Sequence, residues 1–187
     1  MMRRFTPDQI GQAAELLRTG GVLAYPTEAV FGLGCDPDNR TAFEKIFALK
    51  QRPPEQGVLL IAASFEQIEN WIDAPADAIA RAQATWPGAY TWVFPRSMRV
   101  PEWVAGGHNG IALRVTAHAA AAALCRAFGG PIVSTSANVH GQPPARSATE
   151  CEAMFGSALD GILEGETGGL SRPTPIADAV TGAMIRN

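Results

Sequence analysis

The sequence predicts a single α/β domain built on a twisted, mixed parallel and antiparallel sheet with flanking helices. Two patterns carry this reading. Short apolar runs alternate with amphipathic helical segments, the rhythm of strand–helix–strand units, and the strand patterns near residues 90 and 111 follow one another as antiparallel neighbours would. A chain of 187 residues, 47% hydrophobic and 18% charged, is long enough to bury one sizeable core.

Taken in order, Thr6-Pro7-Asp8-Gln9 reads as a capping box with proline at the first helical position. Ile10, Ala13, Ala14 and Leu17 then make one apolar face before Gly20-Gly21 ends the helix. Val22 to Tyr25, closed by Pro26, reads as a strand buried on both faces. A second helix over Thr41 to Leu49 turns Phe43, Ile46 and Phe47 inward, a strand runs from Val58 to Ala62, and Ser64 with Gln67 caps a third helix. The Ala-rich stretch from Pro75 to Thr85 is helical up to the turn Trp86-Pro87-Gly88, after which Tyr90, Trp92 and Phe94 alternate as in a strand. Ile111, Leu113 and Val115 alternate likewise and leave Arg114 on the other face. A helix from Ala117 to Phe128 leads through Gly129-Gly130 to the strand Ile132-Val133, and Ser147 with Glu150 starts another helix. Short strands follow around Ile162-Leu163, Ile176-Ala177 and Met184-Ile185.

Composition narrows the function. A net charge of −3 argues against coating nucleic acid through bulk electrostatics. Cys35, Cys125 and Cys151 are odd in number and form no CxxC pair, which fits reduced thiols in a cytosol better than disulfides or a zinc site, and His108, His118 and His140 show no metal spacing. Met1-Met2-Arg3-Arg4 could open an export signal, but Asp8, Gln9 and Gln12 break the apolar stretch it needs. No run is apolar enough to span a membrane, so the expected location is the cytoplasm.

The run Ser134-Thr135-Ser136-Ala137-Asn138, entered from Pro131-Ile132-Val133, gathers hydroxyls, an amide and backbone N–H groups at a strand end, where they suit an anion. An ordinary polar loop would look the same. Pro26 to Gly34 lacks the third glycine and opening helix of a dinucleotide site, so structural turning is its default reading. Lys50-Gln51-Arg52-Pro53-Pro54 closes the second helix, either as solvated cations at a helix C-terminus or as a grip on polyphosphate or carboxylate. The second option gains from scarcity: of 15 basic residues, only Lys45 and Lys50 are lysines. Arg114 on its strand calls for an anion, either a ligand or an Asp or Glu partner. No G-x-S-x-G elbow makes Ser134 or Ser136 a nucleophile.

Tyr25 to Gly34, Lys50-Gln51-Arg52-Pro53, Trp86-Pro87-Gly88, Ala112-Leu113-Arg114-Val115 and Ser134 to Asn138 stand in the order and spacing of the YrdC/TsaC family, which the chain closely resembles. The short length and Gly165-Glu166-Thr167-Gly168-Gly169 resemble its single-domain bacterial TsaC type. The resemblance implies a YrdC-like fold and an enzyme that makes threonylcarbamoyl-adenylate and pyrophosphate from L-threonine, bicarbonate or CO2, and ATP, with magnesium on the triphosphate. The product would pass to the machinery that modifies adenosine 37 of tRNAs reading codons that begin with A. By position in the family pattern, Lys50 and Arg52 would be catalytic and bind ATP together with Ser134, Ser136, Asn138 and Arg186, while Thr27, Arg114 and Thr174 would bind threonine. The sequence departs from that pattern at Thr116, where many members have proline, and at His140. Two rival readings follow from the same resemblance: a double-stranded RNA-binding or ribosome-maturation protein, for which the net charge allows only weak RNA binding, and a carbamoyl-adenylate former using carbamoyl phosphate.

Overall fold

The computed structural model describes residues 1–52 and 58–186; Pro53 and Pro54, which end the Lys50 segment, and Asn187 lie outside the described residues. Its elements run β1 (Arg3–Phe5), α1 (Ile10–Arg18), β2 (Leu23–Pro26), β3 (Phe31–Gly34), α2 (Arg40–Lys50), β4 (Leu59–Ala62), α3 (Ala76–Gln83), β5 (Thr91–Pro95), α4 (Glu102–Ala105), β6 (Gly110–Val115), α5 (Ala119–Phe128), β7 (Ile132–Ser136), α6 (Ala148–Phe155), β8 (Gly161–Leu163), β9 (Ile176–Asp178) and β10 (Met184–Arg186). The strands form one ten-stranded sheet in the order β1-β8-β2-β3-β7-β4-β6-β5-β9-β10. It is mixed, as the alternation predicts: β2 pairs with β8 and β4 with β6 in parallel, whereas β2–β3, β3–β7, β4–β7 and β5–β6 are antiparallel.

Local chemistry sets the helix ends. The Gln9 side chain accepts from the Thr6 backbone N–H at 3.1 Å, and a 3-10 turn over Pro7–Gln9 leads into α1, which buries Ala13, Ala14 and Leu17. The Asn39 side chain caps α2 by accepting from Ala42 N–H at 3.0 Å, and His118 and Ser147 cap α5 and α6.

Register divides the sheet into two faces. Ala24, Leu33, Leu60, Leu113 and Val133 share one face and join the larger core with Phe43 and Ile46 of α2, Ala78 and Ala82 of α3 and Phe155 of α6. On the opposite face, Leu23, Tyr25, Ile61 and Ile132 pack with Ala13 and Leu17 of α1 and Leu124 and Cys125 of α5. These two helices stop short of the rest of that face. The same register carries it on through Gly32, Ser134 and Ser136, Leu59, Ala112 and Arg114, and Val93, and these positions stay open as the floor of a cleft.

Four elements differ from the sequence reading. The third helix expected after Ser64 is two 3-10 turns, Phe65–Gln67 and Glu69–Trp71, because Ile68 and Trp71, three residues apart, both enter the core and suit a three-residue turn. Gln67 is drawn off to bond Ala63 N–H and the Cys125 carbonyl. Strand β1 escapes the sequence pattern because only Phe5 of Arg3-Arg4-Phe5 is buried. Helix α4 is a single turn. Strand β3 occupies the Gly-rich stretch read as a turn, and its glycines serve space rather than bending: a Cβ on Gly34 would lie 2.6 Å from Tyr25 Cε1 and 2.7 Å from the Val133 carbonyl oxygen.

Gly34→Ala is therefore expected to lose about 2 kcal/mol through overpacking. Gly11→Ala, on α1 with nothing within 4 Å of the new Cβ, should gain about 0.5–1 kcal/mol. Urea unfolding of the two variants checks both signs.

Candidate functional site

The uncovered part of the sheet floors a cleft of about 800 Å³, within the usual range for small-molecule sites. Its walls differ in character. Val58, Val93, Val104, Ala105, Gly110 and Ala112 make one end apolar, while Thr27, Ser134, Ser136, Arg52, Arg114 and Arg186 belong to the polar part. Five arginines line it, namely Arg52, Arg114, Arg146, Arg172 and Arg186, and the described lining residues include no carboxylate. In a chain of net charge −3 this concentrates positive potential in one concavity, where low-dielectric walls focus the field on an anion.

The turn between β2 and β3 supplies the first group. Thr27 donates both its N–H and its hydroxyl to the Val30 carbonyl, at 3.1 and 2.7 Å, so its side chain can meet a ligand only as an acceptor. The loop that carries Gly165 to Gly169 is laced onto this turn: Gly168 N–H donates to the Thr27 carbonyl and Leu170 N–H to that of Glu28. A Cβ on Gly168 would sit 2.9 Å from the Glu28 carbonyl oxygen, so only glycine allows that approach.

Arg114, 4% exposed, sits on the cleft floor and has the carboxylate partner that one sequence reading allowed: Glu28 Oε2 lies 3.4 Å from its Nη2. Its Nη1 donates to the Thr174 hydroxyl at 2.8 Å, and Arg186 donates to the Thr174 carbonyl at 3.0 Å, so Thr174 links the two cations. Burial, and secondly the charge of Arg114, holds the Arg186 guanidinium below its ordinary range.

Lys50 ends α2 with its side chain buried at 3% exposure. Its ammonium donates to the carbonyls of Ser136 and Asn138, at 2.5 and 3.1 Å, and to Asn138 Oδ1 at 3.0 Å, which uses all three N–H bonds. Asn138 Oδ1 also accepts from the Ser136 hydroxyl at 2.6 Å, and its amide donates to the carbonyls of Val139 and Gln142. Lys50 and Asn138 thus lie behind the wall and fix the loop that presents Ser136, and neither lines the cleft. Gln51 ends the helix in the left-handed region, at φ 51°, and the turn delivers Arg52 to the cleft, where its buried Nε has no partner among the described residues. Burial first, and the Arg52 charge second, press the Lys50 ammonium down to about 8.

The structure therefore brings Thr27, Arg52, Arg114, Ser134, Ser136, Thr174 and Arg186 to one cleft. Sequence reasoning assigned no role to Arg146 and Arg172, single arginines in loops with no motif to mark them, nor to Glu28 and Thr116, whose value lies in side-chain partners far away in sequence.

A Sua5/YciO/YrdC family model, described as telomere recombination, matches residues 15–187. The threonylcarbamoyl-AMP synthase of Stenotrophomonas maltophilia K279a is 52% identical over 189 residues, covering 100% of both chains. That of Halorhodospira halophila is 52% identical over 181 residues, covering 96% of this chain and 95% of the relative. The crystal structure of P. abyssi Sua5 complexed with L-threonine superposes with a TM-score of 0.88 at 32% identity, covering 95% of this chain and 54% of that longer one.

Replacing Lys50 by Met keeps the stem but strands buried oxygens, at an expected cost of about 2–3 kcal/mol near pH 7. An unfolded lysine keeps its proton up to its ordinary value of 10.5, against about 8 when folded, so between those values the unfolded chain binds more protons. Wild-type stability relative to Lys50→Met is thus expected to rise as pH climbs from 8 toward 10.5. Urea unfolding of the pair across that range reads both the gap and its sign.

Proposed function

The chain belongs to the Sua5/YciO/YrdC family, and we propose that it is a threonylcarbamoyl-AMP synthase, joining L-threonine, bicarbonate or CO2, and ATP into threonylcarbamoyl-adenylate and pyrophosphate. The observation that carries this reading is the convergence of five arginines and a hydroxyl-bearing strand end on one cleft of an acidic chain. The reaction sets a dianionic threonine carbamate against the α-phosphate of a polyanion, so charge repulsion and alignment are the main obstacles. A carbamate oxygen bonds to the α-phosphorus as the bond to the bridging oxygen breaks, and that electron pair leaves with pyrophosphate. No protein nucleophile is needed.

In this account Arg52 and Arg186 hold phosphate oxygens, Ser134 donates its hydroxyl hydrogen to them, and Lys50 and Asn138, to which the Ser136 hydroxyl donates, keep that wall in place while the ammonium adds to the field. Arg114 takes the threonine carboxylate beside Thr174, and Thr27 accepts a hydrogen bond from the amino acid. Magnesium would arrive with the triphosphate, since the described lining residues offer it hydroxyls and carbonyls but no carboxylate. The adenylate then serves threonylcarbamoylation of adenosine 37 in tRNAs reading codons that begin with A, chemistry of the cytoplasm; no helix among the described residues is long and apolar enough to cross a membrane.

Protein, ATP, L-threonine and bicarbonate together should release pyrophosphate and yield the adenylate by mass spectrometry. Arg114→Ala is expected to raise the threonine KM about 30–100-fold while leaving the ATP KM within threefold, whereas Arg52→Ala should lower kcat and weaken ATP use. Pyrophosphate release that ignores threonine would overturn the assignment.

A further inference from the structure

Glu28 and Thr116 stand behind Arg114 at the amino-acid end of the cleft, and none of the roles above uses either of them. Arg114, Glu28 and Thr116 are 4%, 7% and 2% exposed. Thr116 donates its hydroxyl to Glu28 Oε1 at 2.6 Å and accepts the His118 backbone N–H at 3.1 Å, so its direction is set by the start of α5. Glu28 is held a second way, through its backbone carbonyl, which accepts from Leu170 N–H at 3.1 Å. With Oε1 tied, Oε2 faces Arg114 Nη2 at 3.4 Å and has no hydrogen-bond partner of its own. Thr174 holds the guanidinium from the other side, at Nη1.

We propose that Glu28, tethered by Thr116, is a positioning residue that reserves Arg114 for the carboxylate of the amino-acid substrate; this rests on the synthase reading. A buried guanidinium without a counter-charge would be drawn toward the triphosphate, the strongest anion in the cleft. Glu28 offsets its charge and, with Thr174, fixes the plane of the fork, so that alignment with a planar carboxylate is built in before the amino acid arrives. Neither Glu28 nor Thr116 is among the lining residues, so both act through Arg114.

Thr116→Val removes the tether with little change of shape, Thr116→Ser restores the hydroxyl, and Glu28→Gln removes the charge. Calorimetry with L-threonine alone and with ATP alone is run beside initial rates of pyrophosphate release, after thermal unfolding has shown each variant folded. Thr116→Val and Glu28→Gln should each weaken threonine binding and raise its KM about tenfold, with kcat and the ATP Kd within twofold of wild type, and Thr116→Ser should recover threonine binding to within twofold. Unchanged threonine affinity in Thr116→Val and Glu28→Gln, an equal loss toward ATP, or no recovery in Thr116→Ser overturns the positioning role while leaving the synthase reading intact. Wild-type protein that binds threonine but makes no adenylate overturns the synthase reading alone, and wild-type protein that binds no threonine overturns both.

Discussion

One buried ammonium finds three protein oxygens, and much of the cleft follows from that. Lys50 closes α2 and donates to the carbonyls of Ser136 and Asn138 and to the Asn138 side chain. A buried cation is costly unless its donors are satisfied, so the loop after β7 must keep its oxygens turned inward for the charge to remain. That requirement orients the Ser136 hydroxyl and leaves the next cation, Arg52, to line the cleft. The lysine therefore serves the wall, and the arginine two residues on faces the cleft.

A second buried cation, Arg114, meets the same cost with a different device. Glu28 and Thr174 take its two terminal nitrogens, and Thr174 passes the connection to Arg186 near the end of the chain. Both solutions depend on the mixed sheet. The register that sets Leu59 opposite Ser134 and Ile61 opposite Arg114 puts a hydroxyl-bearing strand end and an arginine on one face, while α1 and α5 leave that part of the face uncovered. A net-acidic chain can in this way present a basic concavity without a basic surface.

Much of this was legible from the residues and some of it was not. Capping residues, apolar periodicity and glycine breaks marked α1, α2, α5 and α6 because those signals are local. The Ser134 to Asn138 run and Arg114 announced themselves as polar groups in apolar settings, and order along the chain joined them to Lys50 and Arg52. Strand β3 was hidden because its glycines answer to the Tyr25 ring lying across them, a contact between strands. The 3-10 turns were hidden because the core draws in Ile68 and Trp71. Charge and spacing mark Lys50 as a candidate phosphate ligand but do not show which protein oxygens its side chain reaches, because those partners lie more than eighty residues away.

The claim that Lys50 builds the wall while arginines meet the anion is tested most directly by a crystal structure with a non-hydrolysable ATP analogue and L-threonine bound. The predicted result is that Lys50 Nζ stays within hydrogen-bond distance of the Ser136 and Asn138 oxygens while Arg52 and the Ser134 hydroxyl contact phosphate oxygens. An ammonium that leaves those carbonyls to bond a phosphate oxygen directly would contradict it.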